Sequence, residues 1–141
     1  MKNTMACILA LFFLANAAGF AHASEIRTSI CQLALDGAQM QGRRVRLTAT
    51  YSTDLLEHSS LNDRRCPRVY LVPNWDGSHD TSIGIFDTAL YAHPNESALT
   101  QYRIDVSGKF SWHADAKPHG ELVFEKVWTF KRLGNVRKFS K

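Results

Sequence analysis

The sequence lacks the long apolar run that a membrane-spanning helix needs. A bilayer is crossed by about 20 consecutive apolar residues, and the longest run here, Met5–Leu14, is shorter than that. No later segment comes closer to this length. We therefore expect a chain that does not span a membrane.

Motifs that mark common enzyme classes are also missing. The sequence contains no G-x-S-x-G nucleophile elbow, no glycine-rich phosphate-binding loop and no clear acid and base pair. His58, Ser59 and Asp63 are near one another in sequence, but catalytic triads are assembled by folding and not by adjacency. We therefore predict no catalytic residue and no cofactor, and we favour a non-enzymatic protein.

The N-terminal segment has the features of a secretory signal peptide. Lys2 supplies a positive charge, Met5–Leu14 is apolar, and small residues lead to an A-x-A cleavage site at Ala21–Ala23. We predict that residues 1–23 are removed and that the chain is exported, to the periplasm or out of the cell. Cys7 lies near the beginning of the apolar run, where a lipoprotein cleavage box would not place it, so no lipid anchor is expected.

Cysteine is scarce, with 3 in the whole chain. Only Cys31 and Cys66 follow the predicted cleavage site. Two lone cysteines in an oxidising compartment favour a disulfide, and their wide spacing does not match the C-x-x-C motif of redox pairs. We predict a structural disulfide. The chain-entropy model gives it a stabilisation of about 3–4 kcal/mol.

The formal charge of the full chain is +4, and its basic residues are clustered. One cluster lies at 43–46, a second at 64–68, and a basic tail without acidic residues at 133–141. Such clusters favour anionic partners, although a solvated basic surface is the simpler interpretation. The remaining length suits one domain, which we assign to residues 24–132.

Patterns of apolar residues predict a mainly β chain with two helices. The predicted order is a short helix, three strands, a second helix and two strands, which is the order of the five-stranded OB barrel. We expect an OB-like barrel with a short N-terminal helix and a helix between strands 3 and 4. Strand alternation also turns Trp112 and Trp128 towards the core. The predicted strands are Arg43–Tyr51, Leu55–Leu61, Arg68–Val72, Tyr102–Trp112 and Leu122–Phe130. The predicted helices are a short one that Thr28 or Ser29 caps and that runs to about Leu35, and Ile83–Ala92, which His93-Pro94 ends.

Several short motifs give the chain a resemblance to known proteins. A Cys-bearing helix precedes Gly42–Leu47 (GRRVRL), a second Cys precedes a short apolar strand, and Val106–Phe110 (VSGKF) precedes the closing strand. In this pattern the chain resembles small exported bacterial OB-fold proteins of unknown function. The resemblance implies that Gly42–Val45 opens the first barrel strand and that Cys31 and Cys66 tie the leading helix to the barrel. It implies no activity and no catalytic residue.

The OB-like fold also suggests where a ligand would bind. OB barrels bind oligonucleotides or sugars on the face of strands 2 and 3 and on the bordering loops. Aromatic rings next to guanidinium groups suit a sugar, a base or an anionic polymer. The alternative is that the tyrosine packs in the core and the arginines are only solvated. The predicted ligand-binding residues are Arg64, Arg65, Arg68, Tyr70 and Trp75.

The leading hypothesis is an exported binding protein that recognises an anionic envelope component, such as an anionic glycan, or a protein partner. A single-stranded nucleic-acid binder is an alternative, which export disfavours. A metal-assisted hydrolase is another, with His113, Asp115 and His119 in one hairpin loop. We expect no metal site, because histidines in surface loops need no ligand role.

Overall fold

The computed structural model describes residues 24–92 and 98–137. The predicted signal peptide at 1–23, His93 with Pro94, and the last part of the basic tail at 138–141 lie outside the described residues. The described elements, in chain order, are β1 (Ile26–Arg27), α1 (Ile30–Asp36), β2 (Arg44–Thr53), β3 (Ser59–Asn62), β4 (Tyr70–Asn74), α2 (Thr81–Tyr91), β5 (Ala98–Trp112) and β6 (Gly120–Arg137).

The strands form one six-stranded sheet in the order β1-β2-β3-β4-β6-β5. Because β2 also pairs with β5, the strands from β2 to β6 form a hydrogen-bonded ring. The β4–β6 and β1–β2 pairs are parallel, and the other pairs are antiparallel. The prediction of a mainly β fold is therefore confirmed.

The alternation predicted for the first long strand is present in β2. Val45, Leu47, Ala49 and Tyr51 are buried inside the ring, while Thr48 lies exposed on the outer face. Successive side chains of a strand point to opposite faces, so one face of β2 supplies the core and the other is left for solvent. In β5 the buried hydrophobic residues of the core are Tyr102, Ile104, Val106 and Phe110.

Trp128 corrects a sequence prediction. In the β5–β6 register Ser107 pairs with Lys126 and Gly108 with Phe124, so Glu125 is an extra residue at an irregularity that precedes Trp128. An extra residue shifts the alternation beyond it. Val127 is therefore buried, and Trp128 lies on the outer face with 40% of its surface exposed. Trp112 is partly buried and packs against the core.

Helix α2 packs an aromatic cluster against the ring. Asp80 caps its first turn by accepting a hydrogen bond from the Ser82 amide at 2.9 Å. Phe86 is fully buried, and its ring centroid lies 5.1 Å from that of Phe130 and 5.3 Å from that of Tyr51. Together with Ile83 and Leu90, Phe86 forms the apolar face of the helix.

The predicted disulfide is present and links α1 to the segment after β3. The Cα atoms of Cys31 and Cys66 are 5.5 Å apart, across 35 residues of sequence. Ser29 caps α1 by accepting a hydrogen bond from the Gln32 amide at 3.1 Å. The bridge therefore holds the segment that carries Arg64 and Arg65 against the N-terminal helix.

Some element boundaries differ from those predicted. The predicted strand from Leu55 to Leu61 is a loop followed by β3, because the buried Asp54 carboxylate accepts hydrogen bonds from three following amides. Strand β6 continues to Arg137, so residues 134–137 of the predicted tail pair with β5. Neither helix in 24–92 and 98–137 is long and apolar enough to cross a membrane.

Candidate binding surface

A concave pocket of about 470 Å³ lies on the outer face of the ring, and we call it the arginine pocket. Its walls come from β2, from β5, from the segment after β3 and from Leu133 of β6. Because β2 alternates, the polar residues Thr48 and Thr50 turn outwards and line this pocket. The other polar residues that line it are Asn62, Asp63, Arg64, Arg65 and Arg103.

Arg65 is held in place by Asp63. Its Nη2 donates to Asp63 Oδ2 at 2.6 Å, and its Nε donates to Asp63 Oδ1 at 3.1 Å. The Arg65 amide also donates to Asp63 Oδ1 at 2.9 Å. Hydrogen bonds from the guanidinium lower the pKa of the Asp63 carboxyl, while burial opposes that shift. The charge of Arg65 is therefore compensated locally.

Arg64 and Arg103 carry uncompensated charge. Both side chains are exposed, and in the part of the chain that the structure describes neither forms an ion pair. Arg103 is also the direct cross-strand partner of Lys131, which is exposed as well. Like charges directly opposite each other in a sheet are destabilising, so this part of the surface favours a bound anion.

A second cluster on the outer face is the tryptophan patch, formed by Trp128, Arg46 and Lys126. The Arg46 Cζ lies 4.0 Å and the Lys126 Nζ 4.1 Å from the centroid of the indole. The indole N–H donates to Ser107 Oγ at 2.9 Å. Arg46 is fixed by Asp105, with Nε–Oδ1 at 3.0 Å and Nη2–Oδ2 at 2.7 Å.

The tryptophan patch does not follow from regular alternation along β6, because regular alternation turns Trp128 inwards. A signal was present in the sequence, since Lys126 interrupts the apolar face predicted for that strand. A charged residue in an otherwise inward-facing series indicates that the alternation changes there. Arg103 was missed for a different reason. Only the pairing of Arg103 with Thr50, distant in sequence, brings it to the pocket.

Of the predicted ligand-binding residues, Arg64 and Arg65 line the arginine pocket, and Trp75 does not. The Trp75 ring is partly buried and packs with the core. Its centroid lies 5.6 Å from that of Phe124 and 6.1 Å from that of Tyr51. The indole therefore has a packing role in this structure.

Tyr70 and Arg68 also lie outside the arginine pocket. The Tyr70 ring is partly buried and meets the His119 ring edge-on, with centroids 5.9 Å apart. Arg68 is exposed on the same segment as Arg64. The structure thus brings together two of the five predicted residues and adds Arg103, Thr48 and Thr50 to them.

The loop with His113, Asp115 and His119 does not assemble a metal site. Within the described residues no group of three His, Cys, Asp or Glu side chains is placed to hold a metal ion. The His113 amide donates to the His119 carbonyl at 3.0 Å, which closes the hairpin through the backbone. The His119 ring packs against aromatic neighbours instead, with the Trp112 centroid at 6.4 Å.

Comparison with known proteins finds no relative from which a function could be carried over. No protein-family model, no curated protein and no solved structure matches the chain. The binding site is therefore inferred from the charge and shape of the outer face.

Proposed function

We propose that this chain is an exported, non-enzymatic binding protein that holds an anionic envelope component in the arginine pocket. The observation that carries the proposal is the pair of exposed guanidinium groups, Arg64 and Arg103, on one concave surface. Neither forms an ion pair among residues 24–92 and 98–137. Guanidinium groups bind carboxylates and phosphates through paired hydrogen bonds, which gives both affinity and orientation.

We also propose that the ring of strands from β2 to β6 is an OB-like barrel. Its neighbour order, the parallel β4–β6 pair and the helix between β4 and β5 in the chain support this assignment. The proposal extends to the leading helix, which the disulfide attaches to the ring.

Export of the chain rests on two independent supports. The N-terminal segment has the sequence features of a signal peptide. The Cys31–Cys66 disulfide is of the kind that persists in oxidising compartments. A periplasmic or secreted location would bring the arginine pocket into contact with envelope glycans.

The uncharged lining of the pocket favours a ligand that carries hydroxyl groups. Thr48, Thr50 and Asn62 offer hydroxyl and amide groups that both donate and accept hydrogen bonds. The volume of about 470 Å³ is within the range typical of small-ligand sites. An acidic sugar combines the anionic group and the hydroxyls that this lining would bind.

The test is calorimetric titration of the oxidised chain, residues 24–141, with acidic sugars and with neutral sugars of the same size. We expect saturable binding of the acidic sugars only. Arg103→Gln should weaken binding by about tenfold, the equivalent of about 1.4 kcal/mol. Because it removes a like-charge pair with Lys131, it should not destabilise the fold.

The matched control for Arg103→Gln is Arg68→Gln. It removes the same charge from an exposed arginine that lies outside the pocket. If both variants weaken binding equally, attraction depends only on net charge and the proposed site is wrong. If no acidic sugar binds and single-stranded DNA does, with a steep dependence on salt, the chain is a nucleic-acid binder instead.

A further inference from the structure

We infer that the ligand is a linear anionic polysaccharide that runs from the arginine pocket along the outer face of β2 to the tryptophan patch. The inference rests on the proposed function and adds the length of the ligand and a second contact for it. It is carried by the position of both sites on one continuous strand face.

Strand β2 connects the two sites directly. Arg46, Thr48 and Thr50 are successive outward residues, of which Arg46 belongs to the tryptophan patch and the threonines to the arginine pocket. With a rise of 3.2–3.4 Å per residue, Arg46 and Thr50 are roughly 13 Å apart. A single sugar ring cannot cover this distance, whereas a short chain of sugars can.

The charges on this face favour a polyanion over a ligand with one charge. Its acidic residues are compensated by arginines, through the pairs Asp63–Arg65, Asp105–Arg46 and Glu125–Arg44. Cations without an ion-pair partner in the described residues then follow one another across the surface. They are Arg64, Arg103, Lys131 and Lys126.

Trp128 provides an exposed indole edge between two cations, Arg46 and Lys126, at the far end of this surface. Its indole is 40% exposed, and its N–H is already bonded to Ser107, which fixes the orientation of the ring. Arg46 and Lys126 pair with Ser107 from the strands on either side and lie over the indole, so they cover its faces, and the exposed edge of the indole is what can contact the C–H groups of a sugar. Lys126 lies over the same ring and forms no ion pair among residues 24–92 and 98–137, so it can bind the acidic group of that sugar.

The same surface favours a polysaccharide over a single-stranded nucleic acid. Nucleic-acid strands are usually held by aromatic side chains on which successive bases stack. Here Trp128 is the aromatic residue of the surface, and the arginine pocket has no aromatic residue in its lining. Hydroxyl and amide groups line the pocket instead, which suits sugar hydroxyls.

The experiment compares ligand lengths. The oxidised chain, residues 24–141, is titrated with oligogalacturonates and with heparin fragments, each from the shortest available unit to a hexamer. Affinity for at least one series should rise by about tenfold or more from the shortest to the longest member, because the second contact is then made within one ligand. Arg103→Gln should weaken the binding of ligands of every length, because Arg103 lines the arginine pocket.

Trp128→Ala tests the second contact. It should reduce the ratio of long-chain to short-chain affinity towards one, and Trp128→Phe should restore most of that ratio. Tyr91→Ala, which removes a 60% exposed aromatic from α2, outside this surface, is the matched control and should leave the ratio unchanged.

The outcomes separate the two proposals. If short acidic sugars bind through Arg103 and longer chains bind no more tightly, the inferred contact with the tryptophan patch is wrong and the proposed function still stands. The inferred contact is also wrong if the affinity of Trp128→Ala still rises with ligand length as steeply as that of the parent. If neither series binds at any length, the proposed function itself is wrong.

Discussion

At the scale of single residues, the outer face depends on ion pairs that fix some cations and leave others without partners. Arg46 is the clearest example, because two hydrogen bonds to Asp105 hold its guanidinium next to the Trp128 ring. The hydrogen bonds from Arg46 lower the pKa of Asp105, and its partial burial opposes the shift. The ion pair therefore makes the stability of the tryptophan patch depend on pH.

We predict that Asp105→Asn reduces the acid sensitivity of the fold. A carboxyl whose folded pKa lies below its unfolded value of about 3.9 contributes stability above that value. This contribution is lost as the pH falls through the folded pKa. Urea unfolding should show that the variant is less stable than the parent at neutral pH, and that the difference shrinks as the pH falls below about 3.9.

The control for this experiment is Asp76→Asn, because Asp76 is exposed and forms no ion pair within the described ranges. Its pH profile should follow that of the parent. Identical pH profiles for the parent and Asp105→Asn would mean that the Arg46–Asp105 pair contributes no stability.

At the scale of elements, β5 and β6 form the longest pairing in the structure, and it is interrupted by register shifts. One shift lies between Ser107 and Gly108, and a glycine inside a strand is typical of a bulge or a sharp bend. A Cβ atom at Gly108 would lie 2.1 Å from the Val123 carbonyl oxygen. The close approach of the two backbones there depends on the missing side chain.

We predict that Gly108→Ala lowers the free energy of unfolding by about 2–3 kcal/mol, because the backbone of β6 must shift to admit the methyl group. Gly84→Ala in α2 is the matched control. No atom lies within 4 Å of its added Cβ, so it should stabilise the helix by about 0.5–1 kcal/mol. Urea midpoints measure both changes, and a neutral Gly108→Ala would contradict the close approach.

At the scale of the whole molecule, the disulfide connects the leading helix to the segment that carries the pocket arginines. Cys66 follows directly after Arg64 and Arg65, and Cys31 lies in α1. Loss of the bridge should therefore affect both stability and the position of the arginine pocket.

We predict that the double variant Cys31→Ala/Cys66→Ala is less stable than the oxidised parent by about 3–4 kcal/mol in urea unfolding. It should also bind acidic sugars more weakly at temperatures where it is still folded. A reducing agent should destabilise the parent and leave the double variant unchanged. Equal stability of the oxidised parent and the variant would contradict this role.

Local patterns in the sequence were sufficient for the fold class and the bridge. The alternation in β2, the helical spacing of Ile83, Phe86 and Leu90, and the two remaining cysteines depend only on near neighbours or on counting. The same local patterns could not give the candidate site. It contains Arg103, which reaches Thr48 and Thr50 only through the pairing of β2 with β5.

The tertiary structure alone decided which tryptophan is exposed. Alternation along the chain put Trp128 inside, whereas the structure leaves it 40% exposed, and Trp75, predicted to bind ligand, is partly buried and packs against the core. Trp128 turns outwards because the extra residue Glu125 shifts the alternation of β6, and that extra residue is defined by the register with β5. Trp75 packs inwards because α2 and the ring bring Phe86 and Phe124 to it. By itself the sequence determined a mainly β chain with one bridge, since periodicity is local. Which residues lie on the outer surface was decided by the cross-strand register, because that register depends on contacts between residues distant in sequence.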